Sequence, residues 1–423
     1  MNITKLSVYT CGRVMIAASR PLILFLVNNF VGQEAAAGLS IVFLANALAL
    51  AAIAADPHRR FYAKYFKATT PRFGQSYAIY LASVLLFAVA GLCVSGVIAW
   101  RLSGSIGLLV AASMYFGSEK LADEVMRFQL FASAFEEWGR ANIVRSVLQL
   151  TFLTVLIGIA RTHVSATVIA AMMALVNLAI FLPKLPYASY NLLLHLKRSR
   201  RARLAKKALR VISADWLLWV LAMLSAGMSY VDRTLAAIVA PAILPQFMLA
   251  SMSLSVIQLT VDYFYISRHR RAFLDGSITL DSVVRTREFP VILVGGLIMA
   301  VAGCLLTLRW SRNGDLLEGR YIAVMVVIQL SVALISVLRE IPYWRGAIRT
   351  LVFVEMGFYA LFASVVSATW RLWPNPIVVF AVAAACIVAR LGAYVILCRR
   401  IDAGRPRLTT QIPSEHQLVT GDA

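Results

Sequence analysis

Apolar stretches long enough to cross a bilayer as helices follow one another along almost the whole chain of 423 residues. A lipid-embedded backbone has no water to bind, so spans of this kind have to be helical. The charged share of only 14%, with a mean hydropathy of +0.77, excludes an ordinary soluble domain. We therefore predict an all-α polytopic membrane protein of about twelve transmembrane helices. The predicted spans are residues 14–31, 35–55, 77–100, 106–128, 143–160, 165–185, 211–230, 242–266, 289–309, 321–341, 350–369 and 376–398.

Lys and Arg residues fall mainly in alternate connections between these spans. Of the 41, 28 lie in connections on the side of the N-terminus, 7 in connections on the other side and 6 inside spans. Because basic connections resist translocation, this bias predicts that both termini lie in the cytoplasm. The net charge of +21 then indicates contact with anionic membrane lipids, and no nucleic acid is expected as a partner.

The longest basic connection, HLKRSRRARLAKKALR, divides the chain into two halves of similar size. We predict an N-terminal six-helix lobe (1–194), a basic cytoplasmic linker (195–210), a C-terminal six-helix lobe (211–400) and a disordered cytoplasmic tail (401–423), which is polar and lacks apolar periodicity. The halves show a weak repeat, in which AADPHRRFYAKYF and TVDYFYISRHRRAF place Asp56 and Asp262 at corresponding positions. Glu124 and Glu340 likewise precede aromatic residues and spaced arginines. These features predict two parallel six-helix repeats.

Three segments carry a resemblance to a known family: DPHRRFYAKYF after the second span, EEWGRANIVRSVLQL across spans four and five, and MSYVDRTLAAIVAP at the end of span seven. With the six-plus-six arrangement, they make the chain similar to the multidrug/oligosaccharidyl-lipid/polysaccharide exporter superfamily, and within it to the Wzx-type polysaccharide flippases. The resemblance implies translocation of a lipid-linked, diphosphate-bearing oligosaccharide by alternating access between the lobes. It also implies a lipid-linked oligosaccharide as partner, with a polysaccharide polymerase and chain-length proteins as further candidates.

Arg20 is the leading candidate for substrate binding. Ionisable groups inside spans are costly and usually face the bundle interior or a wet cavity. Arg20 lies about 10 Å deeper than Arg13 on nearly the same helix face. A guanidinium binds phosphate oxygens through two hydrogen bonds, which suits a diphosphate substrate. In lipid II flippases, which are similar to this chain, arginines of the first span line the cavity; the alternative is an arginine that extends towards the inner face.

Span four carries a polar stripe of Lys120, Asp123, Glu124 and Arg127, with helical spacing that places all four on one face, and Glu119 beside them. The stripe is predicted to line the substrate path, or else to neutralise itself and fix the lobe.

A second set of ionisable residues lies in spans ten to twelve: Arg339, Glu340, Glu355 and Arg390. Arg390 is a further candidate for the cavity, and the others are candidates for a coupling ion or a gate. Salt bridging within or between the lobes is the alternative. Asp232 and Arg233, at the outer end of span seven, are candidates for a gate pair or for ordinary interfacial solvation.

Other function classes fit less well. A membrane-embedded polysaccharide polymerase or glycosyltransferase needs a long outer loop, whereas the outer loops here are short. No Walker motif is present, the five cysteines and five histidines are scattered, and we expect no enzyme activity, cofactor or metal site. A major-facilitator exporter would carry a glycine- and Asp-Arg-rich loop after span two, which is missing. Cation-coupled multidrug exporters often bear an acidic residue in span one, where this chain bears Arg20. The alternative function is therefore a cation-coupled small-molecule exporter, of the multidrug or the major-facilitator type.

Overall fold

The computed structural model describes residues 3–53, 73–131, 135–160, 164–184, 216–266 and 268–403, and the single residues 206, 210 and 213. All its long elements are helices. In the first half they are α1 (Ile3–Leu26), α2 (Gln33–Ile53), α3 (Phe73–Ser103), α4 (Ile106–Phe131), α5 (Phe135–Ala160) and α6 (Ala166–Phe181). A π-helical turn, Val27–Val31, continues α1. Helix α6 ends two residues before Pro183, because proline has no N–H and clashes with a preceding helical turn.

The second half begins with two pairs of consecutive short helices. The first pair is α7 (Trp216–Ser229) and α8 (Val231–Val239), and the second is α9 (Leu244–Leu254) and α10 (Val256–Thr260). Tyr230 separates α7 from α8, and a second π-helical turn, Val261–Ile266, continues α10. The remaining helices are α11 (Arg270–Leu274), α12 (Leu280–Arg285), α13 (Glu288–Trp310), α14 (Gly319–Trp344), α15 (Ile348–Leu372) and α16 (Pro376–Ala403). Short 3-10 turns occupy Leu182–Lys184, Pro241–Ile243 and Gly314–Leu316.

Ten helices of the described residues are long and apolar enough to cross a membrane, and they fall in ten of the twelve predicted ranges. Helix α4 covers the fourth range but carries Glu119, Lys120, Asp123, Glu124 and Arg127. The seventh range holds the shorter α7, followed by α8. The prediction of an all-α multi-pass membrane protein is confirmed, and the number of twelve spans stays a prediction.

Large apolar side chains are exposed in the middle of several helices, for example Val147, Ile298 and Leu361. In water such surfaces are unfavourable, whereas lipid chains solvate them. The polar side chains of the same helices are instead buried inside the bundle, among them Asn142, Gln149, Asn177 and Gln329. The described helices therefore expose apolar side chains on the outside and bury several polar side chains within a largely apolar core.

Two glycines let α1 and α5 pack at very short distance. A Cβ atom on Gly12 would lie 2.8 Å from the Cα of Gly139, and one on Gly139 would lie 2.5 Å from the carbonyl oxygen of Val8. Small residues at such a crossing allow the backbones of membrane helices to touch. The contact places Arg13, which follows Gly12, beside Trp138, which precedes Gly139.

Some predicted features lie outside the described residues. They include Asp56 with the basic segment after span two, most of the linker at residues 195–210, and residues 404–423 of the tail. Helix α16 continues to Ala403, three residues past the predicted end of the second lobe.

Candidate functional site

A cavity of about 730 Å³ lies between helices of the first and second halves of the chain. It reaches the end of the bundle at which α1 begins, which we term the N-terminal face and where Arg13 is exposed. Five arginines line the cavity against three carboxylates, so its charge favours an anion. The charged lining residues are Arg13, Arg20, Arg127, Arg233 and Arg339, and Asp123, Asp262 and Glu340.

Arg20 lines this cavity as predicted from its position in the first span, and it is held by Glu119. Its Nη2 lies 2.9 Å from Oε2 of Glu119, while Oε1 of the same carboxylate accepts a hydrogen bond from Arg145 of α5. Asn177 of α6 also donates to Glu119, at 3.2 Å. Glu119 and Arg145 are buried, whereas the Arg20 side chain is 32% exposed. One carboxylate thus joins α1, α4 and α5 and leaves one positive charge in excess at the cavity wall.

The predicted stripe on α4 is present, and its members largely pair with one another. Lys120 Nζ lies 2.5 Å from Glu124 Oε1 and 3.5 Å from Asp123 Oδ2. Arg127 Nε in turn lies 3.0 Å from Asp123. Only Asp123 and Arg127 of these four line the cavity, so half of the stripe faces the candidate site and half is buried against the bundle.

Asp232 and Arg233 belong to a buried polar network rather than to the surface. Ser251 Oγ donates to Asp232 Oδ2 at 2.5 Å and accepts from Arg233 Nε at 2.8 Å. Gln329 of α14 also donates to Asp232 Oδ2, at 3.0 Å. Asp232 is completely buried, and its Oδ1 has no hydrogen-bond partner among the described residues. Arg233 and Gln329 reach the cavity, so this network connects a buried carboxylate to the candidate site.

Arg339 and Glu340 also line the cavity, near the end of α14. Arg339 donates to Ser225 Oγ and lies 3.8 Å from Glu340, which accepts a hydrogen bond from Trp344 Nε1 at 2.7 Å.

The other two predicted residues of this set form a separate pair away from the cavity. Arg390 Nη2 lies 2.5 Å from Glu355 Oε1, and the Tyr394 hydroxyl donates to the same oxygen. Arg390 is 2% exposed, Glu355 is completely buried, and neither is among the residues that line the cavity. They join α15 to α16, which is the salt-bridging alternative considered for this set.

Aromatic rings surround Arg13 at the mouth of the cavity, where it opens on the N-terminal face. The guanidinium carbon lies 5.2 Å from the ring centre of Tyr9, 5.4 Å from that of Trp138 and 5.6 Å from that of Tyr263. Arg13 Nε and Nη2 donate to the Tyr9 hydroxyl at 3.0 and 2.6 Å. Thr10 also lies within hydrogen-bond distance of Tyr263, at 3.1 Å, so α1 contacts the second half of the chain here.

At the opposite face, three amide side chains of the α1–α2 junction bind the second half, and we term them the amide seal: Asn28, Asn29 and Gln33. Their partners are the last residue of α13, the residues that follow it and the turn before α9. The contacts are Asn28 Nδ2 to Ser311 Oγ and Arg312 O (both 2.8 Å), Asn29 Nδ2 to Trp310 O (3.0 Å), Arg312 N to Asn29 Oδ1 (2.5 Å), Gln33 Nε2 to Ala242 O (2.9 Å) and Asn313 Nδ2 to Gln33 Oε1 (3.2 Å). These hydrogen bonds join the two halves at the face opposite the cavity mouth.

Comparisons with family models, with curated proteins and with solved structures find no match to this chain. The similarity to the exporter superfamily therefore rests on the quoted motifs alone.

Sequence reasoning missed three residues of the site: Glu119, treated only as a neighbour of the stripe, and Arg145 and Trp138, treated as parts of an inner connection. Helix α5 begins at Phe135, eight residues before the predicted span, and so includes Trp138, while Arg145 already lies inside that span. A signal was available for Arg145. Asn142, Arg145, Ser146 and Gln149 have helical spacing and are all buried, as a polar stripe in an apolar helix indicates.

Proposed function

We propose that this chain is a flippase that carries a lipid-linked oligosaccharide, joined to a polyprenyl diphosphate, across the bacterial cytoplasmic membrane for surface polysaccharide synthesis. The observation that carries the proposal is the arginine-lined cavity between the two halves, with its mouth at the N-terminal face and hydrogen bonds that join the halves at the opposite face. A diphosphate bears strong negative charge, and guanidinium groups are its best protein partners.

In this proposal the twelve predicted spans form two six-helix lobes, residues 1–194 and 211–400, and the N-terminal face is cytoplasmic. The placement of 28 basic residues on that side supports this orientation. The structure then corresponds to the inward-open state of an alternating-access cycle. The amide seal would have to break for the cavity to open outwards, and its neutral hydrogen bonds are worth about 0.5–1.5 kcal/mol each, so breaking them is energetically feasible.

A cation-coupled small-molecule exporter is the second candidate, and Asp232 is the observation that favours it. A fully buried carboxylate in a membrane helix is costly without a compensating charge. Among the described residues, Ser251 and Gln329 donate hydrogen bonds to Asp232 and both are uncharged, while Arg233 binds the same Ser251 hydroxyl. A coupling cation would offset this cost, as cation-coupled export needs.

Deletion of the gene separates the two candidates. The flippase proposal predicts that a surface polysaccharide is lost while its lipid-linked units accumulate on the cytoplasmic leaflet. Normal polysaccharide together with altered drug resistance would refute the flippase and support the small-molecule exporter.

Replacement of Arg20 tests the phosphate contact. Arg20→Ala should lower transport of the lipid-linked oligosaccharide by about tenfold or more, because a charge-assisted hydrogen bond contributes about 1.5–3 kcal/mol. Arg20→Lys keeps the charge but loses the planar fork, so its transport should lie between that of Arg20→Ala and that of the unaltered protein. Arg101→Ala is the matched control, since Arg101 is exposed beside Trp100 at the far end of α3. Equal transport by all variants would remove Arg20 from the binding site.

A further inference from the structure

The close packing of α1 and α5 produces an arrangement at the mouth of the cavity that the Arg20 site does not use. Gly12 and Gly139 bring the two backbones into contact, so the residues next to them, Arg13 and Trp138, lie side by side. The Arg13 guanidinium carbon lies 5.4 Å from the Trp138 ring centre. Both side chains line the cavity.

Both side chains keep hydrogen-bond donors beyond those that acceptors of the described residues take up. Trp138 is 5% exposed, and its indole Nε1 has no acceptor among the described residues. Buried indole N–H groups normally find a partner. For Arg13 the described residues supply one hydroxyl and three aromatic rings, and no described carboxylate lies within 4.0 Å of its guanidinium. The other arginines of the first half that line the cavity, Arg20 and Arg127, each have a carboxylate partner.

We propose that Arg13 and Trp138 form a phosphate-binding site at the mouth of the cavity, separate from the Glu119-bound Arg20. A guanidinium and an indole N–H are donors only, so their natural ligand is an acceptor-rich anion. A phosphate group offers several oxygens and accepts from both side chains at once. Because Arg13 also stacks over Tyr263, the site joins the two halves of the chain.

Two sources of phosphate fit this chemistry: the diphosphate of the lipid-linked substrate, for which the inference rests on the proposed function, and the head group of an anionic membrane lipid. Both reach a mouth at the membrane surface. The shared prediction is a phosphate that binds Arg13 and Trp138 together.

The test uses the full chain in lipid nanodiscs and geranyl diphosphate as the probe, with the dissociation constant measured by calorimetry. In phosphatidylcholine discs, Arg13→Ala should weaken binding by about tenfold, as loss of a charged hydrogen-bonding group implies. Trp138→Phe keeps an aromatic ring and removes only the N–H donor, so it should weaken binding by about threefold to tenfold. Arg101→Ala should bind as the unaltered protein does.

Arg13→Lys serves as a second variant if Arg13→Ala fails to fold, and it should show an intermediate loss because it keeps the charge without the fork. Unchanged dissociation constants for the Arg13 variants and for Trp138→Phe would overturn the proposal.

Discs that also contain phosphatidylglycerol distinguish the two sources. If this lipid competes with geranyl diphosphate, and Arg13→Ala abolishes the competition, the site takes a lipid head group. If it does not compete, the site takes the diphosphate of the substrate. Either result supports the phosphate site.

The outcomes for the site and for the flippase are separable. Arg13-dependent and Trp138-dependent binding with normal polysaccharide in the deletion strain would keep the site and refute the flippase. If the deletion strain shows the expected phenotype but the Arg13 and Trp138 variants bind geranyl diphosphate normally, the flippase is supported and the phosphate site is refuted.

Discussion

Glu119 and Glu355 are both buried carboxylates that hold arginines within the bundle, but they hold different numbers of them. Glu119 binds Arg20 and Arg145, whereas Glu355 binds Arg390 with the help of the Tyr394 hydroxyl. The second cluster is balanced in charge and lies away from the cavity. The first carries an excess positive charge, and the arginine with that excess reaches the cavity wall. An arginine–carboxylate salt bridge thus joins two helices in the Glu355 cluster, whereas in the Glu119 cluster it also leaves a positive charge at the cavity wall.

Arg390→Met should have the largest effect on stability, because it leaves Glu355 buried without a counter-charge. Breaking a buried pair in this way costs about 3–5 kcal/mol. Thermal unfolding of the detergent-solubilised protein measures the loss. The double variant Arg390→Met with Glu355→Leu should recover most of it, since apolar replacement of a whole buried pair is often neutral or stabilising. A single variant as stable as the unaltered chain would mean that the second cluster holds nothing together.

Gly139→Val should have the next largest effect, since it acts on the packing that holds α1 against α5. The added side chain would overlap the backbone of Val8. Overpacking of this kind costs about 1–3 kcal/mol, measured by the same unfolding assay. Gly158→Ala in the same helix is the control, because a Cβ there meets nothing within 4 Å. Equal destabilisation by the two variants would contradict the close approach of these helices.

Arg20→Met should change stability least. Arg145 still neutralises Glu119 in this variant, and the Arg20 pair is about a third exposed and therefore screened by water. We expect a loss of about 1 kcal/mol or less, in contrast to Arg390→Met. A loss as large as that of Arg390→Met would show that Glu119 needs both arginines, and the distinction between the two clusters would fail.

The sequence predicted the position of the helices much better than the residues of the site. Hydropathy located every long helix because burial in lipid acts on each span separately. The end of α6 before Pro183 also follows from one residue. Arg20 was found because an arginine inside a span is costly wherever it lies. Its partner Glu119 is 99 residues away, and their contact depends on how α1 and α4 cross.

Arg13 and Trp138 were harder still to predict. Arg13 read as a basic residue before the first span, and Trp138 as part of a connection, because their helices begin earlier than the apolar stretches do. Their meeting depends on the absence of two Cβ atoms at Gly12 and Gly139. A single sequence does not indicate which two glycines on different helices pack against each other.

Helix α1 carries contacts at both faces of the protein, and Pro21 lies between them. Arg13 is eight residues before Pro21 and Asn28 seven after it, which corresponds to arms of about 12 and 10 Å. Prolines are common pivots in helices. A tilt of about 10° at this pivot displaces either tip by about 2 Å, enough to part hydrogen bonds whose useful range ends near 3.2 Å. In the alternating-access cycle proposed above, a tilt of α1 at Pro21 would therefore move Arg13 at one face and the amide seal at the other together.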